Sequence, residues 1–408
     1  MSPPELSAEV ISTIAKNLAG DFDALLTASL LCRSWQDASS RVLFAKITIH
    51  NSQRLDDFLT LIHENPRICR WVYHLQLGRF HTSARDGVNP SWFLPATRLL
   101  PNRLPALKTL RICNLDFNDV VKAVSAFKNI VSGFATLESL EFTVCKIHPE
   151  LVDGLVSRLG NLQRLSIGYC WKPAGDHDIS QLWDAPLDAT KRPQIKTIDI
   201  QWTGIELDIA ETLLMLTESG CTKFTETIFI STSFGSSVAL GRVGRALKGM
   251  PRLEEFNFKV AHYINEVGMV MPEELSLRDH KYLRRVNLEL PLLVDVRSIV
   301  QTLNPSKLPI LTIGIKEALD LKDFTSREVE VGPGPSFVDH EELVELFNIY
   351  YGIMINMNWF GAIETLSRSN IPILLLLRVK PERGALIFSG FEPAAWYHQF
   401  DVATNRLL

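Results

Sequence analysis

This sequence predicts an α/β chain in which three short helices precede an irregular array of strand–helix repeats. Three observations carry that reading. A Leu-x-x-Leu-x-Leu-like pattern returns along most of the chain, the stretches between copies show helical apolar spacing, and residues 1–48 follow a helical period of their own. The length of 408 residues exceeds one ordinary compact domain and suits two or three domains or one elongated array. With 46% hydrophobic and 22% charged residues the bulk of the chain is expected to build a packed core, which sets disorder aside.

The helical segment comes first. Leu6, Val10, Ile11, Ile14 and Leu18 recur at helical spacing, Gly20 ends that helix near residue 19, and Asp21 or Asp23 caps the next. A second apolar run covers Phe22 to Leu31, and a third extends from Cys32-Arg33-Ser34-Trp35 to Leu43-Phe44. Helices this few and short lie near the lower limit of a self-sufficient core. Some of their apolar surface must be covered by something else.

The repeat begins with Val72-x-x-Leu75-x-Leu77 and continues through Leu107-x-x-Leu110-x-Ile112, Leu137-x-x-Leu140-x-Phe142 and Leu162-x-x-Leu165-x-Ile167. Further copies are Ile195-x-x-Ile198-x-Ile200, Leu253-x-x-Phe256-x-Phe258 and Leu283-x-x-Val286-x-Leu288, with degenerate ones around Ile230 and Ile313. Successive copies stand 25 to 35 residues apart. Each reads as a short strand, and the intervening residues, such as Val120, Val124, Phe127 and Val131, read as a helix. Strand then helix, repeated, gives a parallel sheet on one face and helices on the other. A closed barrel of eight strand–helix units is the competing architecture, but its interior wants branched apolar residues where this chain has Arg111, Glu141, Ser166, Asp199, Asn257 and Asn287. Beyond Ile313, Leu343, Phe347 and Met354 suggest helix, and Ile371 to Leu377 predicts a last buried strand near residues 373–379 with the tail covering its edge.

The phrases Leu104-Pro105-Ala106-Leu107-Lys108-Thr109-Leu110 and Leu159-Gly160-Asn161-Leu162-Gln163-Arg164-Leu165 resemble leucine-rich repeats of an irregular, intracellular kind, without a regular Asn after the strand. The first segment resembles the F-box. Pro3-Pro4-Glu5-Leu6 stands where that family opens with Leu-Pro-x-Glu-Leu, followed by Ile14 and Leu18, Asp23-Ala24-Leu25-Leu26, Ser29-Leu30-Leu31-Cys32-Arg33-Ser34-Trp35 and Arg41-Val42-Leu43-Phe44; Ser2 takes the place of the usual opening Leu. The resemblance implies an F-box at 1–48 and a leucine-rich-repeat solenoid with a C-terminal cap at 49–408, with the sheet on its concave face. It further implies docking on the Skp adaptor of a cullin-based ubiquitin ligase, the solenoid selecting a protein substrate. Pro4, Leu6, Ile14, Leu18, Leu25, Leu31, Cys32 and Trp35 are the expected adaptor contacts. Two other readings stand beside it: a leucine-rich scaffold outside the ubiquitin system, whose helical segment merely caps the array, and a barrel hydrolase.

Alternation directs the side chains interleaved with the apolar row away from the core, so Arg111, Glu141, Ser166, Asp199, Asn257 and Asn287 are the expected substrate-facing residues. Their mixed charge, and a net charge of −4, suit a protein or peptide rather than nucleic acid or an anionic membrane. The turn-rich stretches 79–102, 168–192 and 316–340, carrying Trp92-Phe93, Trp171 and Trp183, are rival sites.

No enzymatic activity and no cofactor or metal is expected. Nucleophile-elbow, dinucleotide and phosphate-loop motifs are missing, His340-Glu341-Glu342 lacks a second His four residues on, and Asp176-His177-Asp178 reads as solvated loop. The longest apolar stretch is far shorter than the ~20 residues of a membrane span. No secretory leader or Asn-x-Ser/Thr acceptor is present, and the six cysteines are widely spaced, so reduced thiols and a cytoplasmic or nuclear location are expected.

Overall fold

The structure, a computed structural model, describes residues 6–79, 91–173, 182–183, 192–202, 207–232, 237–260, 275–291, 310–316, 373–378 and 385–389. Pro4, Asp176 to Asp178, His340 to Glu342 and the apolar run Leu343, Phe347, Met354 lie outside these residues. The chain is α/β and divides into two compact units, Met1–Ile195 and Lys196–Leu408.

The first unit opens with α1 (Ala8–Asn17), α2 (Phe22–Ser29) and α3 (Arg33–Leu43). Ser7 caps α1 by accepting the Val10 amide, and Glu9 and Lys16 sit at the ends where the helix dipole favours their charges. Asp21 caps α2 by accepting the Ala24 amide at 2.9 Å. α3 packs against both other helices. Ile11, Ala15, Leu25 and Ala38 form a small core, with Leu18, Trp35, Val42 and Leu43 packed around it from partly exposed positions.

Five parallel strands follow in sequence order: β1 (Lys46–Ile49), β2 (His74–Leu77), β3 (Thr109–Cys113), β4 (Ser139–Thr143) and β5 (Arg164–Gly168). β1 starts before residue 49, so the expected boundary at 48 cuts a strand that belongs to this sheet. Between the strands lie α4 (Ser52–Glu64), α5 (Phe93–Leu99), α6 (Val120–Gly133) and α7 (Pro149–Val156), with α5, α6 and α7 packing in succession. Leu110, Ile112, Leu140, Phe142, Leu165 and Ile167 are buried from the strands, and Val120, Val124, Phe127 and Ile130 from α6. Ile130, not the expected Val131, completes the helix's inner stripe; the two are adjacent, and spacing alone could not separate them. Rings of Phe93, Phe117, Phe127 and Phe142 make a continuous contact from α5 to β4, at centroid separations of 5.4, 5.2 and 6.2 Å.

Each repeat is locked to the one before by a single device. The carbonyls of Ala45, Tyr73, Lys108 and Glu138 each accept two successive amides from the start of the next strand. After the strands, Asn114, Val144 and Tyr169 occupy the same left-handed turn, with φ of 51°, 57° and 54°. Gly78, at φ 98°, approaches the next repeat so closely that a Cβ there would lie 1.9 Å from the Cys113 carbonyl oxygen. Trp92 is buried, and Trp183 lies against Gly154 with Arg158 stacked 4.4 Å from its ring centre.

The second unit contains β6 (Thr197–Trp202), α8 (Leu207–Glu218), β7 (Thr227–Thr232), α9 (Ser237–Lys248), β8 (Glu255–Val260), β9 (Arg285–Pro291), β10 (Ile310–Lys316), β11 (Ile373–Arg378) and β12 (Ala385–Ser389). β6 to β11 are parallel neighbours in order, and β12 runs antiparallel to β11. The degenerate copies around Ile230 and Ile313 are therefore strands. So is the expected last one, whose edge β12 pairs. Truncation after Ser369 removes both β11 and β12 and bares the β10 edge, so insoluble protein is expected; a soluble, cooperatively melting truncation would show those strands to be dispensable.

His280 is buried where four other repeats place Leu104, Phe134, Leu159 and Met250, three residues before the first apolar position of the strand motif. Burial depresses its pKa below the ordinary 6.5, while the Met250 backbone and Asp279 pull the other way. The unfolded chain then binds the proton more readily, so this residue's stabilisation is full above pH 6.5 and is lost as pH falls through the folded-state value. His280→Met should make chemical denaturation midpoints less sensitive to acid between neutral pH and pH 5; an unaltered acid response would show that His280 does not set it.

Candidate functional site

The helical unit buries less apolar surface than it carries. On α1 the inward stripe is Ile11 and Ala15, which leaves Leu6 and Val10 exposed and Ile14 half-buried. On α2 the inward residues are Leu25 and Ala28, leaving Phe22, Leu26 and Leu30 exposed at intervals of four. Leu30 is 85% exposed and the neighbouring Leu31 65%. Isolated exposed leucines are ordinary; six large apolar residues exposed within residues 6–31 are not.

The expected contacts divide accordingly. Leu6, Leu31 and Cys32 are exposed, Cys32 at the N-terminal cap position of α3. Ile14, Leu18 and Trp35 are half-buried. Leu25 is only 2% exposed and is a core residue, so it is withdrawn as a surface contact. α2 turns Leu25 inward and Leu26 outward, a choice that two adjacent leucines do not reveal in the sequence. Val10, Phe22, Leu26 and Leu30 were missed. Counting the apolar residues left off each helix's inner stripe would have found them.

The second set of expected residues lies on strand rows. In the first unit, Thr48, Gln76, Arg111, Glu141 and Ser166 are register partners across β1 to β5. Arg111, Glu141 and Ser166 are each half-buried, unlike the packed layers of a barrel interior. Arg111 Nε lies 3.3 Å from Glu141 Oε2, and Lys108 pairs with Glu138 beside them. Charge on this row is thus largely compensated within it. At such exposure a pair contributes about 0–1 kcal/mol.

In the second unit Asp199, Phe229, Asn257 and Asn287 are register partners across β6 to β9. Gln201 Nε2 donates to both Asp199 carboxylate oxygens at 3.3 Å, and Asn287 donates its amide to the Asn257 side-chain oxygen. Arg285 pairs with Glu255 at 3.6 Å. The six expected residues therefore form two triplets, one in each unit. Phe229, 40% exposed and set between Asp199 and Asn257, was missed because its repeat, around Ile230, is degenerate in sequence.

These surfaces offer contact chemistry: apolar stripes on two helices, and rows of paired charges and amides with one exposed aromatic. Among the described residues no group of three His, Cys, Asp or Glu side chains could hold a metal ion, and no helix is long and apolar enough to cross a membrane. No protein-family model matches the chain, and no curated protein is significantly similar to it in sequence.

Proposed function

We propose that this chain is a substrate-recognition adaptor of a cullin-type ubiquitin ligase, its F-box-like helices docking on the Skp adaptor and its leucine-rich repeats binding a protein substrate. The observation that carries the proposal is the exposed apolar surface of α1 and α2, which a water-facing helical unit has no reason to keep and a helical partner would cover. The Cys32-Arg33-Ser34-Trp35 phrase opening α3, and a strand register continuing behind it, support the same reading. The chain would catalyse nothing itself. Its part is to raise the effective concentration of a substrate lysine near the ubiquitin carrier.

A second reading, a repeat scaffold capped by its first three helices, draws support from the way α3 leads into β1 and the Ala45 carbonyl accepts the Tyr73 and His74 amides. Size-exclusion chromatography of the full chain mixed with purified Skp adaptor separates the two. A stable one-to-one complex is expected, and residues 1–43 should be required for it while the repeats stay folded without them. No complex, together with repeats that aggregate on removal of residues 1–43, would favour the cap.

A further inference from the structure

Cys145 and Cys170 occupy the same place in consecutive repeats, each two residues beyond the end of its strand and each followed by a residue of the bridged pair Lys146 and Trp171. Neighbouring parallel strands run about 4.8 Å apart, and a disulfide spans Cα separations of about 4.4–6.8 Å, so adjacent places in this register fall within the Cα range of a bond. The Cys145 thiol is fully buried, facing the Ile112 and Thr143 carbonyls at 3.4 and 3.5 Å, and the Cys170 thiol faces the Gly168 carbonyl at 3.4 Å. The preceding repeat has Leu115 at this position, so the pair of thiols is confined to these two turns.

We propose that Cys145 and Cys170 are an oxidation-sensitive pair that a peroxide converts into a disulfide joining two consecutive repeats. The first oxidation falls on Cys170, the less completely buried residue of the two, at 3% exposure against 0% for Cys145. Its thiolate attacks one peroxide oxygen, giving a sulfenic acid and, after protonation, one water. The Cys145 sulfur then displaces the hydroxyl from Cys170, forming the S–S bond; that hydroxide takes up the Cys145 proton and leaves as a second water. Two thiols and one hydrogen peroxide thus become one disulfide and two waters. Burial disfavours charge on Cys145, yet hydrogen bonds with the Cys170 side chain and the backbone of Leu115, Thr143 and Asn114 hold its thiol below the ordinary value, which suits an attacking sulfur. Burial instead pushes the Cys113 thiol up to about 11, which suits a bystander.

The test exposes the full-length chain carrying Cys32→Ser, which removes the exposed thiol, to hydrogen peroxide; remaining thiols are alkylated in denaturant and the unreduced digest is read by mass spectrometry. The expected result is a tryptic peptide ending at Lys146 linked to one beginning at Leu165, collapsing on reduction, absent in Cys170→Ser and present in Cys113→Ser. Full alkylation of both cysteines after peroxide, or a link from Cys145 to Cys113, would overturn the proposal. Should Cys170→Ser misfold by circular dichroism, Cys145→Ala serves the same purpose.

Discussion

Replacing Leu30 and Leu31 together by Ser should abolish binding to the Skp adaptor while leaving the helical unit folded. Both side chains are mostly exposed in the chain alone, at 85% and 65%, so their loss removes little from the unit's own core. Fully burying a leucine contributes about 1.5–3 kcal/mol, so losing two at an interface costs about 3–6 kcal/mol, a weakening of about two to four orders of magnitude. Leu25→Ala should weaken binding by another route. Truncating a core leucine destabilises by about 2–5 kcal/mol, enough to unfold so small a unit. Titration calorimetry with circular dichroism on each variant separates the two. Undiminished affinity with Leu30 and Leu31 replaced would mean that the exposed leucines are not the docking face.

The strands were legible because the apolar spacing of each copy serves one physical demand: residues such as Leu110 and Ile112 must face the helices, and alternation then turns Arg111 outward. The same demand explains where sequence reading ended. It distinguishes an inner stripe from an outer one only when the two differ in polarity, which Leu25 and Leu26, or Ile130 and Val131, do not. The thiols at 145 and 170 stand two residues beyond their strands, in the place of a regular Asn. There they put weak donors against the Ile112, Thr143 and Gly168 carbonyls. No pattern of apolar residues announces that substitution. Phe229 was hidden for the opposite reason: an aromatic residue on an outward row reads as part of a core until its register neighbours, Asp199 and Asn257, are known.

Phe229→Ala should reduce recovery of the substrate protein at least tenfold, with the melting temperature and adaptor binding unchanged. An exposed aromatic flanked in register by a carboxylate and an amide has the composition of an interface anchor, where burial of the ring is the main gain and the polar neighbours fix orientation. The row in the first unit predicts a smaller effect. Arg111 and Glu141 already neutralise each other at 3.3 Å, so a partner must either leave that pair intact or break it at a cost close to what it would gain. Exchanging the two charges, Arg111→Glu with Glu141→Arg, preserves the pair and inverts only its local dipole, and should alter substrate recovery less than threefold. Quantitative affinity purification of the full chain with each variant makes the comparison. A loss on charge exchange, with none for Phe229→Ala, would move substrate binding to the first unit's row; a loss in neither would move it off both rows of strands.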